Sequence, residues 1–335
     1  VHKLIYNNTG INSFLKYLTN DLNKTPLKNF IPEKSPDIIK NNINDCEKYL
    51  SELLKINNIT YKDIISQTII KQEKVKYQGF YTYLCDKLET SIFQIHTYLT
   101  GNPSIAQNIL LCNKETFKDE ILTFMHRVVK CEYNSCFIIA GVENLDYEET
   151  IYMVDLLDEF FGNDKKKNKI NSCVIFLYTN NNAEICVNIE SKKYREILPI
   201  KGDMYKNIKY DKDDIEIIMS DKSGVGKSTQ INKDIEDKGK KCIHFPIGDV
   251  VERDSIIKRL KDLQVDSKSV VHLDLYDTDN VSLMIEFLFS FLILRYYGKD
   301  EDVFYLSKDI EIKIEIPNTF INFIEKFPIL KIFKI

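Results

Sequence analysis

The spacing of apolar residues divides the chain into two kinds of sequence. Up to about residue 90, apolar positions recur with helical periodicity, which predicts a helical lid or spacer over residues 1–90. From about residue 92, short apolar runs alternate with amphipathic stretches, which predicts parallel βαβ units. In this first series the predicted strands are "IHTYLT", "NILLC", "CFIIAGV" and "SCVIFLYTN", and the predicted helices are "TFKDEILTFMHRVVK" and "YEETIYMVDLLDEFF".

A second series of the same kind begins near residue 213. It contains one long run, "VSLMIEFLFSFLILRYYG", which predicts a buried helix, and one strictly alternating segment, "IEIKIEI", which predicts a half-exposed or edge strand. The two series together predict an α/β fold of tandem modules with parallel sheets, over residues 91–205 and 206–335. The other predicted strands of the second series are "IEIIMS", "KCIHFPI" and "SVVHLDLY", and its other predicted helices are "KSTQINKDIED" and "VVERDSIIKRLKDLQ".

Composition narrows the environment of the protein. The 335 residues carry a formal net charge of −4, so no nucleic-acid partner is expected. The eight cysteines form no C-x-x-C pair and lie mostly in apolar runs, which predicts buried thiols and a reducing, cytoplasmic compartment. The most apolar run, residues 287–297, is shorter than the ~20 residues of a membrane-spanning helix, so no transmembrane segment is expected. The chain starts without Met and stops after an apolar tail, so we expect a fragment of a longer protein.

The candidate chemistry lies in residues 219–230, "MSDKSGVGKSTQ", between a predicted strand and a predicted helix. Glycines allow a tight turn, and backbone N–H groups together with a helix N-terminus attract a phosphate group. Asp221 replaces the glycine that usually opens such a loop, and Asp tolerates tight turns. The alternative is a glycine-rich turn that contains a lysine by chance. The residues predicted to bind the nucleotide are Ser223, Gly224, Val225, Gly226, Lys227, Ser228 and Thr229.

A magnesium site should accompany this loop. Lys227 is expected to reach the β- and γ-phosphates of ATP, and the Ser228 hydroxyl to ligate Mg²⁺. "SVVHLDLYD" supplies Asp274 as the second metal residue, acting through water; the alternative is an Asp that caps the next segment. The residue after Asp274 is Leu275, where a water-activating Glu is usual in rapidly hydrolysing ATPases. Asp277 is the candidate replacement for that catalytic role, provided that the strand continues that far.

Two other observations qualify this hypothesis. His272 shares the strand of Asp274, and we keep it as a candidate neighbour of the magnesium site, although a lone His is more often a packed core residue. The first module has "TYLTGNPSIAQN" at the place expected for the loop, and Gly141 where a metal-binding Asp would be expected, with Glu143 close by. We therefore expect the first module to be a degenerate copy that does not bind nucleotide.

The order of these segments resembles that of mysterin-type proteins, which are giant cytosolic proteins with a dynein-like AAA+ core and an E3 ubiquitin ligase region. The likeness covers roughly residues 90–316, and the phrase "LTGNPSIAQNILLCN" is its most distinctive part. The resemblance implies a degenerate AAA+ unit followed by a P-loop (Walker A) AAA+ unit truncated before its lid, with further AAA+ units of the same polypeptide as partners. It also implies Lys227 and Ser228 as phosphate-loop residues and Asp274 as the acidic residue of the second motif.

The resemblance implies a region that holds ATP·Mg²⁺ with weak or no hydrolysis. Ubiquitin ligase activity and its protein clients would belong to missing regions, because the cysteines here lack zinc-binding spacing. One alternative is an independent P-loop NTPase or kinase that hydrolyses ATP or GTP; no guanine-specific NKxD element supports the GTPase form. Another is a non-enzymatic scaffold that a bound nucleotide stabilises by mass action.

Overall fold

The computed structural model describes the chain from residue 75 onward with several gaps. Residues 1–74, and with them most of the predicted helical segment, lie outside the described residues. So do residues 220–225 of the predicted phosphate loop, and for Lys227 only the backbone is described. The described residues are 75, 77–131, 134–162, 171–192, 195–211, 213–219, 226–249, 251–266, 268–299, 302–317 and 320–333.

The first module is a five-stranded parallel sheet with the strand order β2-β3-β4-β1-β5. Every residue of β3 and β4 is buried, because helices and loops cover both faces of the sheet. Alternate residues of β4 enter different apolar clusters: Ile175 belongs to one and Phe176 to the other. The elements are β1 (Gly79–Leu84), α1 (Leu88–Thr100), β2 (Ile109–Leu111), α2 (Lys118–Val129), β3 (Cys136–Ala140), α3 (Tyr147–Phe161), β4 (Cys173–Tyr178), α4 (Glu184–Glu190), β5 (Arg195–Ile197) and the short α5 (Gly202–Tyr205).

The start of this module differs from the sequence-based prediction. The strand predicted at "IHTYLT" is wrong, because these residues belong to α1. Ile92, Ile95 and Leu99 are buried at intervals of three and four residues, which is helical spacing that a short apolar window concealed. The first strand is instead β1, "GFYTYL", which lies inside the stretch predicted to be helical up to residue 90. The strands predicted at "NILLC", "CFIIAGV" and "SCVIFLYTN" are confirmed.

The second module is a four-stranded parallel sheet with the order β6-β11-β8-β7. In both modules the first strand of the module therefore lies beside its fourth, followed by the third and the second. An antiparallel hairpin, β9-β10, is inserted before the fourth strand. The elements are β6 (Ile215–Ile218), α6 (Lys227–Asp237), β7 (Lys241–Asp249), α7 (Arg253–Lys261), β8 (Ser269–Thr278), α8 (Val281–Leu288), β9 (Tyr296–Lys299), β10 (Asp302–Tyr305), β11 (Glu311–Glu315) and α9 (Phe320–Lys326).

Two predictions for this module need correction. The run predicted as one long helix ends its α-helical part at Leu288, continues as a π-helix to Leu294, and turns into β9 at Arg295, which has a positive φ of 59°. The alternating segment "IEIKIEI" is not an edge strand, because β11 lies between β6 and β8. Its charged residues Lys313 and Glu315 are nevertheless buried, because both form contacts with other polar groups of the same sheet face.

The two modules share one hydrophobic core. Gln72–Ile335 form a single compact unit, and one apolar cluster contains Ile92 and Ile138 of the first module as well as Phe287 and Ile314 of the second. The α/β fold class is thus confirmed: two tandem modules with parallel sheets, an arrangement consistent with P-loop NTPase modules of the AAA+ kind. Within the described ranges, no helix combines the length and apolar character needed to cross a membrane.

A buried ion pair fixes the turn from the π-helix into β9. Arg295 is almost fully buried, and its guanidinium donates to Asp214 just before β6 and to the carbonyl of Ile310 just before β11. We expect Arg295→Met to destabilise the protein by about 3 kcal/mol, because Asp214 loses its charged partner. For a chain of 335 residues, that corresponds to a thermal midpoint lowered by roughly 4 °C.

The matched control is Lys118→Met, which breaks the exposed pair between Lys118 and Glu148. Water screens an exposed pair, which therefore contributes little to stability, so the midpoint of this variant should hardly change. Thermal unfolding followed by circular dichroism measures both variants. Equal shifts for Arg295→Met and Lys118→Met would contradict the importance of the buried pair.

Burial gives His96 an unusual titration. The ring lies inside the first module, with Nδ1 near the carbonyl of Asn102, and burial lowers the pKa of His96 to about 4. The unfolded chain takes up this proton near pH 6.5 and the folded chain does not, so stability should fall as the pH drops from about 6.5 to 4. In an NMR titration, the His96 ring signals, assigned with His96→Gln, should not shift between pH 8 and 5. A midpoint near 6.5 would show that the ring is solvated.

Candidate functional site

Gly226 forms the junction between the predicted phosphate loop and α6. Its φ of 79° and ψ of 30° place it in the left-handed region, where a residue with a Cβ is strained. The helix starts at the next residue, Lys227, and the amide of Gln230 closes its first turn on the carbonyl of Gly226. Ser228 and Thr229 therefore stand in the first turn of the helix, and the residues before Gly226, including Ser223, lie outside the described part.

The Ser228 side chain contacts a carboxylate that the sequence-based prediction did not include. Its hydroxyl donates to Glu315 Oε2 at 2.8 Å, and His272 Nε2 donates to the same oxygen at 3.1 Å. Glu315 is the last residue of β11, so its carboxylate lies at the carboxyl end of the strand next to β6. The strand that leads into the loop and the strand that carries Glu315 are thus direct neighbours.

Asp274 lies in the same row of the sheet but has other partners. It is paired with Glu315 across β8 and β11, and it is buried. Tyr276 Oη donates to Asp274 Oδ2 at 2.6 Å, and His244 Nε2 donates to the same oxygen at 3.3 Å. The hydrogen bond to Asp274 stabilises the neutral phenol and raises the pKa of Tyr276 to about 12. Asp274 is therefore in the neighbourhood predicted for a metal residue, without a direct bond to Ser228.

The rings of His272 and His244 lie next to each other, and each contacts one of the two carboxylates: His272 contacts Glu315, and His244 contacts Asp274. The ring centroids of His244 and His272 are 4.9 Å apart, and these residues are paired across β7 and β8. Burial lowers the pKa of His272, and the nearby His244 lowers it further against the opposing effect of Glu315 and Asp274. Within the described part of the chain, His272 Nδ1 is buried without a hydrogen-bond partner. His272 is thus the expected neighbour of the Asp274 site and contacts Glu315 directly.

Asp277 stands apart from this group. It comes three positions after Asp274, so the same-face position two residues on belongs to Tyr276. Strand β8 does continue to Thr278, but the exposed carboxylate of Asp277 is held by Lys326 of α9 and by the backbone amide of Thr278. The hydrogen bond from Lys326 lowers the pKa of Asp277. No described contact brings Asp277 to Ser228 or Asp274.

A signal for Glu315 was present in the sequence. The alternation in "IEIKIEI" puts Glu311, Lys313 and Glu315 on one face, and that face would be exposed if β11 were at an edge. Because β11 is central, the same alternation directs the charged residues toward α6. Only the strand order, which a single sequence does not reveal, distinguishes these two outcomes.

The first module has a different arrangement at the same end of its sheet. The loop between β1 and α1 is residues 85–87, "CDK", so the place predicted for its phosphate loop, "TYLTGNPSIAQN", is wrong. Gly101 in that segment ends α1 with a φ of 72°. Gly141 follows β3 with a φ of 73°, and Glu143 accepts from the amide (2.6 Å) and the hydroxyl (2.8 Å) of Thr179 after β4. The carboxylate of Glu143 therefore binds the loop that follows β4 in its own module.

The donor set of the second module suits a hard cation. Ser228, Glu315 and Asp274 supply hydroxyl and carboxylate oxygens, which are the ligands that Mg²⁺ prefers. Among the described residues, no three His, Cys, Asp or Glu side chains are arranged to hold a metal ion by themselves. Magnesium at nucleotide sites needs only one or two side-chain oxygens, because phosphates and waters complete its shell. The residues present therefore fit a nucleotide-bound magnesium better than a metal held by protein ligands alone.

Comparisons with known proteins carry no argument about the fold or the function. No protein-family model matches the chain, and no curated protein matches it significantly. Among the solved structures, a DNA polymerase III gamma subunit-related protein from Thermotoga maritima matches with 13% identity and a TM-score of 0.27. The match covers 38% of this chain and 44% of that one, which is less than half of its length. The fold class consequently rests on the strand order and parallel pairing described above.

The conformation of Gly226 makes a graded prediction. An added Cβ would meet no heavy atom of the described residues within 4 Å, so the cost of a substitution is expected from the positive φ. We expect Gly226→Ala to destabilise the protein by about 1 kcal/mol, Gly226→Asn by less and Gly226→Val by more. Thermal midpoints should follow the order Gly, Asn, Ala, Val, with about 1–2 °C between Gly and Ala. An alanine variant as stable as the asparagine variant would mean that Gly226 does not adopt this conformation.

Proposed function

We propose that the second module binds ATP·Mg²⁺ at the start of α6. The observation that carries the proposal is the left-handed Gly226 directly before a helix that begins with Lys227 and Ser228, at the carboxyl end of a parallel sheet. Ligands of α/β proteins bind at the carboxyl ends of parallel strands, and a helix N-terminus there favours phosphate. The sequence "SGVGKST" provides the residue types that such a site requires.

Each residue would then have a defined task. The backbone N–H groups from Ser223 to Gly226 would surround the phosphates, and Lys227 would neutralise the β- and γ-phosphates. The Ser228 hydroxyl would be a magnesium ligand, and Asp274 would act on the cation through water. Ser228 and Asp274 would thereby hold a cation whose charge would offset part of the negative charge of the phosphates.

Hydrolysis by this module is proposed to be slow. Asp274 and Glu315 each accept hydrogen bonds from two described side chains, and Asp277 is held by Lys326. A general base must be within hydrogen-bond reach of the attacking water, which none of these contacts favours. The bound nucleotide would therefore act mainly as a structural ligand that stabilises the folded module by mass action.

We also propose that the chain comes from a larger mysterin-like ATPase and ubiquitin ligase. Support comes from the order of the two modules and from the phrase "LTGNPSIAQNILLCN". Neighbouring AAA+ units of the same polypeptide would be its partners, and ligase activity and protein clients would belong to other regions. A cytoplasmic location is proposed because no disulfide joins any of the described cysteines, five of which are buried.

The test measures ATP binding and steady-state turnover of the chain. Lys227→Ala should weaken ATP binding about 10- to 100-fold, since a charged hydrogen-bond donor contributes about 1.5–3 kcal/mol. The control is Lys238→Ala, an exposed lysine at the other end of the same helix, which should bind ATP like the wild type. Turnover should stay below about 0.1 per second, well under the median of about 10 per second for enzymes.

Three outcomes would contradict parts of this proposal. A chain that does not bind ATP has no nucleotide site, and equal losses in Lys227→Ala and Lys238→Ala would point to non-specific binding. Rapid turnover that disappears in Asp277→Ala would favour the alternative of an active NTPase or kinase. Faster turnover of GTP than of ATP would favour the same alternative with a different base specificity.

A further inference from the structure

The hydroxyl group proposed to bind magnesium is held by a residue on a different strand from the predicted acidic motif. Ser228 donates to Glu315 of β11 at 2.8 Å, whereas no described hydrogen bond joins it to Asp274 of β8. The acidic residue expected from the sequence is thus one strand further from the start of α6 than the acidic residue that touches it.

Asp274 is already engaged on the side away from Ser228. Tyr276 and His244 both donate to Asp274 Oδ2, and His244 belongs to β7, the strand beyond β8. Neither donor belongs to α6: Tyr276 lies further along β8, and His244 lies on β7 at the edge of the sheet. Glu315, by contrast, stands between β6 and β8, next to the strand that leads into the loop.

Glu315 also has the chemistry that a magnesium-binding serine requires. A serine oxygen that binds a cation with a lone pair still has its proton to donate, and a carboxylate is a strong acceptor for that proton. The carboxylate is about 90% buried, where a negative charge acts more strongly on a nearby cation than in water. His272 donates to the same carboxylate and restricts its position.

We propose that Glu315, rather than Asp274, is the carboxylate that positions Ser228 and supports the cation of the nucleotide site. The inference rests on the proposed binding of ATP·Mg²⁺ and specifies which acidic residue serves it. Glu315 is a positioning residue: its carboxylate accepts the Ser228 proton, keeps the Oγ lone pairs available for the cation, and adds negative charge beside it. Asp274 has a smaller effect on the cation, because Tyr276 and His244 already donate hydrogen bonds to its carboxylate.

A purely structural role for Glu315 predicts a different result. If Glu315 only neutralised a buried part of the sheet, its replacement would alter stability but leave the magnesium dependence of nucleotide binding unchanged. The informative measurement is therefore the ATP affinity of the full chain, taken once in excess EDTA and once across a magnesium titration. Neither arm depends on catalytic turnover.

The main variant is Glu315→Gln, which keeps the size and an acceptor oxygen but removes the charge. We expect the Mg²⁺ concentration for half-maximal enhancement of ATP binding to rise about tenfold, with the affinity in EDTA within twofold of the wild type. Asp274→Asn should raise that concentration less than threefold. The matched control is Glu311→Gln, on the same strand and face but paired with Lys240, which should leave it unchanged.

Ser228→Ala protects the test against a folding defect in Glu315→Gln. It changes the first turn of α6 without changing β11. It should raise the Mg²⁺ concentration for half-maximal enhancement of ATP binding to a similar extent. In the Ser228→Ala background, Glu315→Gln should have a clearly smaller effect than the tenfold expected in the wild type, because Glu315 acts largely through that hydroxyl. Circular dichroism and thermal unfolding confirm that each variant is folded.

The outcomes separate this inference from the proposed function. If the wild type binds ATP in neither arm, the proposed function fails and this inference falls with it. If it binds ATP equally with and without magnesium, nucleotide binding stands and the role of Glu315 is refuted. The role is also refuted if Asp274→Asn has the larger effect, or if the effects of Ser228→Ala and Glu315→Gln multiply independently.

Discussion

The second module depends on the neutralisation of charges buried between its sheet and α6. Parallel strands covered on both faces are usually apolar, because a buried charge without a partner costs several kcal/mol. Here one face carries polar residues on all four strands of the sheet, and each charge has a partner within reach. The pairs are Lys313 with Glu216, Glu315 with Ser228 and His272, and Asp274 with His244 and Tyr276.

The polar contacts of this sheet face also contribute to how α6 packs on the sheet. Only Ile231 and Ile235 of the helix are buried apolar residues, and the cluster that they form includes a single buried residue of the sheet, Val270. Burying so few apolar side chains contributes only a few kcal/mol. The contact of Ser228 with Glu315 is consequently a substantial part of what orients the first turn. The helix that would bind phosphate is thus oriented by the same polar residues that would bind the cation.

The sequence predicted the elements of the fold better than their arrangement. Runs such as "CFIIAGV" and "SCVIFLYTN" contain strands in which every residue, Cys136–Ala140 and Cys173–Tyr178, is buried and largely apolar, a property that is visible locally. The prediction of a strand at "IHTYLT" is wrong, because a window that starts at Ile95 does not include Ile92. Only with Ile92 included do the buried residues Ile92, Ile95 and Leu99 show helical spacing. The position of β11 could not be predicted, because alternation of apolar and charged residues fits both an edge strand and a central strand below a polar helix face. Asp274 was found from its motif, whereas Glu315 depends on strand order and was missed for that reason.

The two modules share a strand order but carry different residues at the end of the sheet where ligands of α/β proteins bind. Both place the first strand beside the fourth, and both have a carboxylate at the end of the sheet where ligands bind. In the first module Glu143 turns to the amide and hydroxyl of Thr179, and the loop after β1 offers neither glycines nor a Lys-Ser pair. In the second, Glu315 turns to a hydroxyl in the first turn of a helix that follows a left-handed glycine. The two modules therefore differ in the group that the carboxylate holds: the loop after β4 in one case, and in the other the serine hydroxyl that we propose as a metal ligand.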